Sequence, residues 1–508
     1  MAETPDVVET VKQGYAFEGP AIELGSLLVD GTPNPEAAVR IPLSMVNRHG
    51  LVAGATGTGK TKTLQLMAEQ LSAAGVAVFA ADIKGDLSGV SQPGESSEKL
   101  LARTKTIGQE WTATGFPTEF YALGGQGAGV PIRATITSFG PVLLSKVLGL
   151  NDVQESSLGL IFHYADKQGL TLLDLKDLRA VITHLTSDEG KGDLKELGGL
   201  SAATAGVILR SLIGFADQGA EAFFGEPEFD TADLLQERDG KGVISLLELP
   251  NLQDRPALFS TFLMWLLADL FHDLPEVGDV DKPKLVFFFD EAHLLFNDAS
   301  KAFLDSIAQT VRLIRSKGVG VFFVTQTPKD VPDDVLAQLG SRVQHQLRAH
   351  TPNDAKALKA TVSTFPNSSY ELAEVLTQLG IGEAVVTVMN EKGAPTPVAW
   401  TRLRAPQSLM APASAEQLTA AVAASPNNAK YSAVIDRESA YEKLAAKVQA
   451  GAEQAEAEAQ VEEPKPRAQK KEKSVVEQVV GSSVFKQFAR SAGREIVRGL
   501  FGSARRKR

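Results

Sequence analysis

The octapeptide Gly54-Ala55-Thr56-Gly57-Thr58-Gly59-Lys60-Thr61 constrains this chain more than any other stretch, because it fits G-x-x-x-x-G-K-[ST]. It follows the apolar run Leu51-Val52-Ala53, which reads as a short buried strand, and precedes Thr63 to Leu71, which reads as a helix. A strand, a glycine-rich turn and a helix are what a phosphate-binding loop requires. The glycines let successive backbone N–H groups point inward, where they and the positive end of the helix hold phosphate oxygens. Lys60 would reach the β- and γ-phosphates of ATP, and Thr61 would offer its hydroxyl to Mg²⁺. Gly occupies 44 of 508 positions, so a chance match in the chain has odds of only about a few in a hundred.

The strand Val76 to Asp82 follows that helix, giving a βαβ unit and therefore an α/β fold with a mainly parallel central sheet. Ligands sit at the carboxyl ends of such strands, so Asp82, Lys84 and Asp86 emerge on the active side. Two readings of Asp82 stand side by side: influence on the metal or its waters, and a cap on the next turn. Further on, Leu285-Val286-Phe287-Phe288-Phe289 runs into Asp290-Glu291. A buried strand with two carboxylates at its end is the arrangement of a Walker B site. Asp290 would hold Mg²⁺ through a water, and Glu291 would act as general base. Val319 to Gln326 is another buried strand ending in a polar pair, where Gln326 either contacts the γ-phosphate or lytic water or begins the turn at Thr327-Pro328.

Around this core the chain divides into a short β-rich N-terminal segment (1–47), an ATPase core (48–405) with a mostly helical insertion over about 93–240, an Ala/Glu/Pro-rich linker (406–473) and a basic amphipathic helix (474–508). In that last helix Val476, Val480, Val484, Phe488, Ala492, Ile496 and Leu500 form one stripe, and Lys486, Arg490, Arg494 and Arg498 another. It would pack on the body or a neighbouring subunit, contact DNA phosphates, bind a partner protein or lie on a membrane surface. Residues 466–508 carry twelve Lys or Arg against three Glu, so the net charge of −11 hides −20 on residues 1–465. The chain has no cysteine, which excludes disulfides and thiolate metal sites. An acidic start and the lack of any run near about eighteen apolar residues predict a soluble, cytoplasmic protein.

Asn47 to Thr61, Asp82 to Gly89, the Phe-rich strand into Asp290-Glu291-Ala292-His293, and Arg312 to Gly318 through Thr325-Gln326 together resemble the HerA-like helicase family of bacterial P-loop ATPases over about residues 22–400. The resemblance implies a RecA-like (ASCE) fold, assembly as a hexameric ring, and ATP hydrolysis coupled to movement of double-stranded DNA. It also implies that Arg315 or Arg342, placed relative to Thr325-Gln326 as in FtsK-like pumps, reaches a neighbouring subunit's nucleotide as an arginine finger. The acidic body has no basic channel loop, which keeps an ATP-driven protein pump as the alternative.

Overall fold

The alternation of Leu285, Phe287 and Phe289 with Val286 and Phe288 sets the layering, because neighbouring side chains on a strand point to opposite faces. The first three join one apolar core and the other two a second core on the opposite face. Val319, Val321 and Phe323 divide from Phe322 and Val324 in the same way. A strand buried on both faces reads as one continuous apolar run, which is why these two strands are legible without a period of two.

The structure is a computed structural model that describes residues 7–194, 198–249, 256–297 and 301–461. The helix expected over 474–508 lies outside the described residues. Among the described residues there are fourteen strands: β1 (Ala21–Val29), β2 (Thr32–Pro42), β3 (Gly50–Ala53), β4 (Ala77–Asp82), β5 (Thr118–Leu123), β6 (Val130–Ile132), β7 (Glu237–Arg238), β8 (Lys241–Gly242), β9 (Ile244–Glu248), β10 (Leu285–Phe289), β11 (Val319–Thr325), β12 (Ser341–Gln344), β13 (Glu383–Thr387) and β14 (Ala399–Leu403). All but the β7–β8 ribbon form one sheet in the order β2-β1-β14-β13-β12-β3-β11-β10-β4-β9-β5-β6. From β12 to β6 every pairing is parallel. The other end is antiparallel, with the β1–β2 hairpin paired to β14. The hairpin turns at Asp30-Gly31, both at positive φ, the conformation that matches the twist of its strands.

Two boundaries differ from expectation. The region over 93–240 is not wholly an insertion, since β5 and β6 extend the parallel sheet beyond β9. Its helical part, Ile136–Val147, Asp152–Lys167, Leu175–Thr186 and Ala202–Asp217, forms a layer in the larger core with Phe262 and Trp265. The stretch after residue 405, expected to be a linker, is packed on the body. The Glu69 carboxylate accepts from Gln407 N at 2.8 Å and Ser408 N at 3.0 Å, and Gln65 donates to Leu409 O at 3.0 Å. Tyr431 is fully buried with its ring 5.2 Å from that of Phe229, and Ala440 and Leu444 of the helix Ala440–Val461 reach the core. Composition missed this because the packing rests on backbone hydrogen bonds and a few apolar side chains rather than on an apolar stripe.

Candidate active site

The phosphate loop leaves the end of β3 and turns straight into the helix Lys60–Ala73. Gly59 has φ 113°, a conformation that disfavours any residue with a Cβ. A Cβ on Gly54 would stand 2.4 Å from the Cβ of His345, so only glycine lets the two backbones approach. His345 is fully buried and bonds Thr63 Oγ1 at 2.9 Å, while Ala55 N donates to Gln346 O at 2.8 Å. Burial pushes the His345 imidazole down to about 4, so it is neutral under the loop. On the other side Gly382 N donates to Thr58 O at 3.1 Å, and Arg103 donates to Gly382 O at 2.9 Å. The loop is thus held from β12 and from the turn before β13. The Lys60 ammonium lies inside it, donating to Gly54 O at 2.7 Å and Ala55 O at 3.2 Å. Burial lowers its pKa, and Glu291 and Asp290 pull it back up.

Those two acids come from β10, with β11 between them and the loop. Asp290 is 1 % exposed; Oδ1 accepts from Glu291 N at 2.8 Å, and Oδ2 is buried without a partner. Burial first, then the Glu291 charge, push Asp290 up to about 7. A buried carboxylate oxygen beside a phosphate loop, with nothing to bond, suits a divalent cation. Glu291 has φ 47°, rare for a residue with a side chain, and Ala292 N donates to Val324 O at 2.9 Å. Its Oε1 is ion-paired with Lys84. Burial opposes the charged form, but the Lys84 ammonium outweighs it and holds Glu291 below the usual carboxylate range.

Lys60, Asp290 and Glu291 therefore share one cleft at the carboxyl end of the sheet, with Gly54, Ala55, Thr56, Gly57, Thr58 and Gly59 as its loop and Thr61 on the first helical turn. Gln326 follows β11 between the loop and the acids, with an exposed side chain. Arg315 and Arg342 are not in this cleft. Arg315 is exposed in the turn before β11, and Arg342 sits near the start of β12, donating to Thr364 O at 2.9 Å. Arg315 precedes β11, whose seven residues span roughly 20 Å toward the cleft, whereas Arg342 lies within β12 opposite Leu51. Asp82 proves to be a turn cap: its carboxylate accepts from Gly85 N at 2.7 Å, Asp86 N at 3.3 Å and Leu87 N at 2.8 Å.

Sequence reasoning did not single out His345, Glu248 or Asp330. Glu248 ends β9, is 4 % exposed, has an unpartnered Oε1, and is raised to about 8 by burial and then by Asp82. Asp330 accepts from Thr325 Oγ1 at 2.6 Å and Thr327 N at 2.9 Å, fixing the turn after Gln326. A charged residue closing an apolar run was the available signal for Glu248. No local pattern marks His345, whose role depends on the register of β12 against β3.

Comparison with known proteins bears on the family and the fold. The family described as Helicase HerA-like C-terminal matches residues 28–508. The chain is 23 % identical over 389 residues to the DNA double-strand break repair helicase HerA of Saccharolobus solfataricus, covering 74 % of this chain and 68 % of that one. It is also 23 % identical over 375 residues to the HerA helicase of Sulfurisphaera tokodaii, covering 73 % and 67 %. Among solved structures, the plasmid coupling protein TrwB in complex with a non-hydrolysable ATP analogue superposes with a TM-score of 0.51 at 17 % identity, covering 79 % of this chain and 93 % of that one. VirB4 of Thermoanaerobacter pseudethanolicus gives 0.50 at 15 % identity, covering 76 % and 97 %. These likenesses support the RecA-like architecture. With a family match spanning most of its length, the chain belongs to the HerA-like helicases and is a P-loop ATPase.

Proposed function

We propose that this chain binds ATP with Mg²⁺ in the Lys60–Glu291 cleft and hydrolyses it to drive a ring of identical subunits along double-stranded DNA. The observation that carries the reading is the placement of the Lys60 ammonium, the free Asp290 oxygen and the Glu291 carboxylate around one loop. The loop amides from Gly54 to Thr61 hold the phosphates, and Lys60 exchanges its two carbonyl partners for phosphate oxygens. Asp290 and the Thr61 hydroxyl would hold Mg²⁺, which supplies positive charge to the β- and γ-phosphate oxygens. Glu291 takes a proton from water as the water oxygen attacks the γ-phosphorus; the bond to the β-bridging oxygen breaks, and ADP and phosphate leave. Gln326, at the tip of the strand between loop and base, orients that water.

Arg315 lies a strand's length from its own subunit's cleft and Arg342 is bonded outside it to Thr364 O, which suits residues that act on a neighbour's nucleotide. In a head-to-tail ring one face of a subunit meets a different face of the next, so such a residue can reach its neighbour's cleft. DNA as cargo is supported by the relatives, named DNA double-strand break repair helicases, and by the excess of Lys and Arg over residues 466–508. Among the described residues no helix is long and apolar enough to cross a membrane. The −20 charge of residues 1–465 favours the second reading, an ATP-driven protein pump.

ATP turnover measured with and without duplex DNA over a range of salt separates them. DNA stimulation that fades with rising salt supports the translocase. Turnover indifferent to DNA, with no salt-sensitive binding, removes DNA as cargo and leaves the pump.

A further inference from the structure

Lys84 has no part in the reading above, yet it makes the closest contact to the proposed base. It follows β4, the strand next to β10, and its ammonium pairs with Glu291 Oε1. The Asp82 carboxylate binds the three backbone N–H groups of Gly85, Asp86 and Leu87, so the backbone just after Lys84 is fixed to the sheet. The other oxygen, Oε2, is buried and accepts no hydrogen bond, with His293 Nδ1 at ion-pair distance, 3.2 Å away. Glu291 is thus bonded through Oε1 to Lys84, while Oε2 keeps an unused acceptor beside the His293 ring. Its backbone, at φ 47°, is in a region that costs about 1 kcal/mol or more for a residue with a side chain, so the position relies on its surroundings.

We infer that Lys84 is a positioning residue for hydrolysis: by taking Oε1 it fixes the Glu291 carboxylate so that Oε2 is the oxygen that receives the proton from water. The inference rests on Glu291 being the base. A carboxylate on three rotatable bonds presents either oxygen in many directions, and an ion pair with a fixed partner removes that freedom before substrate arrives. Lysine at this place contributes through Glu291, since its ammonium is bonded to that carboxylate, although its charge also reaches Lys60 and Asp290. The 40 % exposure of its side chain makes replacement tolerable to the fold.

The test uses the full-length chain with ATP and Mg²⁺, comparing wild type, Lys84→Met, Lys84→Arg, Glu291→Gln and the double variant Lys84→Met/Glu291→Gln. Expected are a fall in kcat of about tenfold or more for Lys84→Met with KM and ADP affinity within about threefold, substantial recovery in Lys84→Arg, and no further loss when Lys84→Met is added to Glu291→Gln. A kcat for Lys84→Met within twofold of wild type, or above it, overturns the inference, the latter making Lys84 a restraint. A parallel loss of nucleotide affinity also overturns it, by making Lys84 a phosphate ligand. Wild-type turnover in Glu291→Gln instead removes the assignment of the base itself, so failure of the two readings is told apart.

Discussion

At the carboxyl end of the parallel sheet stand Asp82, Glu248, Asp290 and Glu291, with Lys60, Lys62 and Lys84 among them. At the amino end of the same strands Arg48 and Arg315 stand around the buried His49, which accepts from Val321 N at 3.0 Å, and Arg342 sits near the start of β12. One end gathers carboxyl groups, among which Glu248 Oε1 and Asp290 Oδ2 are buried without a hydrogen bond; the other gathers arginines. Among the described residues, the ion pair at the arginine end is that of Arg48 with the mostly exposed Asp279, at 3.3 Å. Such polarity along one sheet is what a head-to-tail association of copies would use.

The largest effect that tests this polarity comes from the arginine end. Arg315→Ala or Arg342→Ala should lower ATP turnover about a thousandfold while nucleotide affinity at the remote cleft is unchanged. If both variants turn over ATP at wild-type rate, the amino end takes no part in chemistry and the comparison loses its functional half. At the acid end, Asp290→Asn should lower turnover about a hundredfold and raise the Mg²⁺ concentration needed, because the free carboxylate oxygen goes. The same change should not lower the melting temperature of the nucleotide-free protein, since it removes an uncompensated buried charge. A destabilised variant with normal Mg²⁺ dependence would make Asp290 a structural acid.

A smaller effect sharpens what the two ends share. His49 and His345, one at each end, are both fully buried and pushed down to about 4 by burial. Unfolding frees each to take up a proton near pH 6.5, so the stabilisation present above that value is lost as pH falls from about 6.5 to 4. His49→Gln should make the urea midpoint less dependent on pH over that window, with about 3 kcal/mol as the upper end of the effect. An unchanged pH slope would mean that His49 is protonated in the folded protein.

The acid end was the more legible of the two in the sequence. A glycine-rich loop and an apolar run into Asp290-Glu291 are local patterns, and both are where the chemistry of the strands placed them. The supports of that end were not legible: the clamp of His345 on Gly54 depends on how β12 lies against β3, and the hold of Lys84 on Glu291 on β4 lying beside β10. Periodicity also found the helical layer; that β5 and β6 extend the parallel sheet beyond β9 depends on long-range pairing, which no local pattern shows. The chain after Pro406 was misread for a related reason. Its anchor is the Glu69 carboxylate on the phosphate-loop helix, a contact between residues 338 positions apart at Gln407.

The central claim is that the loop of Lys60 and the acid of Glu291 act on one triphosphate. Glu291→Gln, mixed with ATP and Mg²⁺, should bind nucleotide within about threefold of wild-type affinity while single-turnover hydrolysis falls a hundredfold or more. Wild-type hydrolysis by that variant would contradict the account.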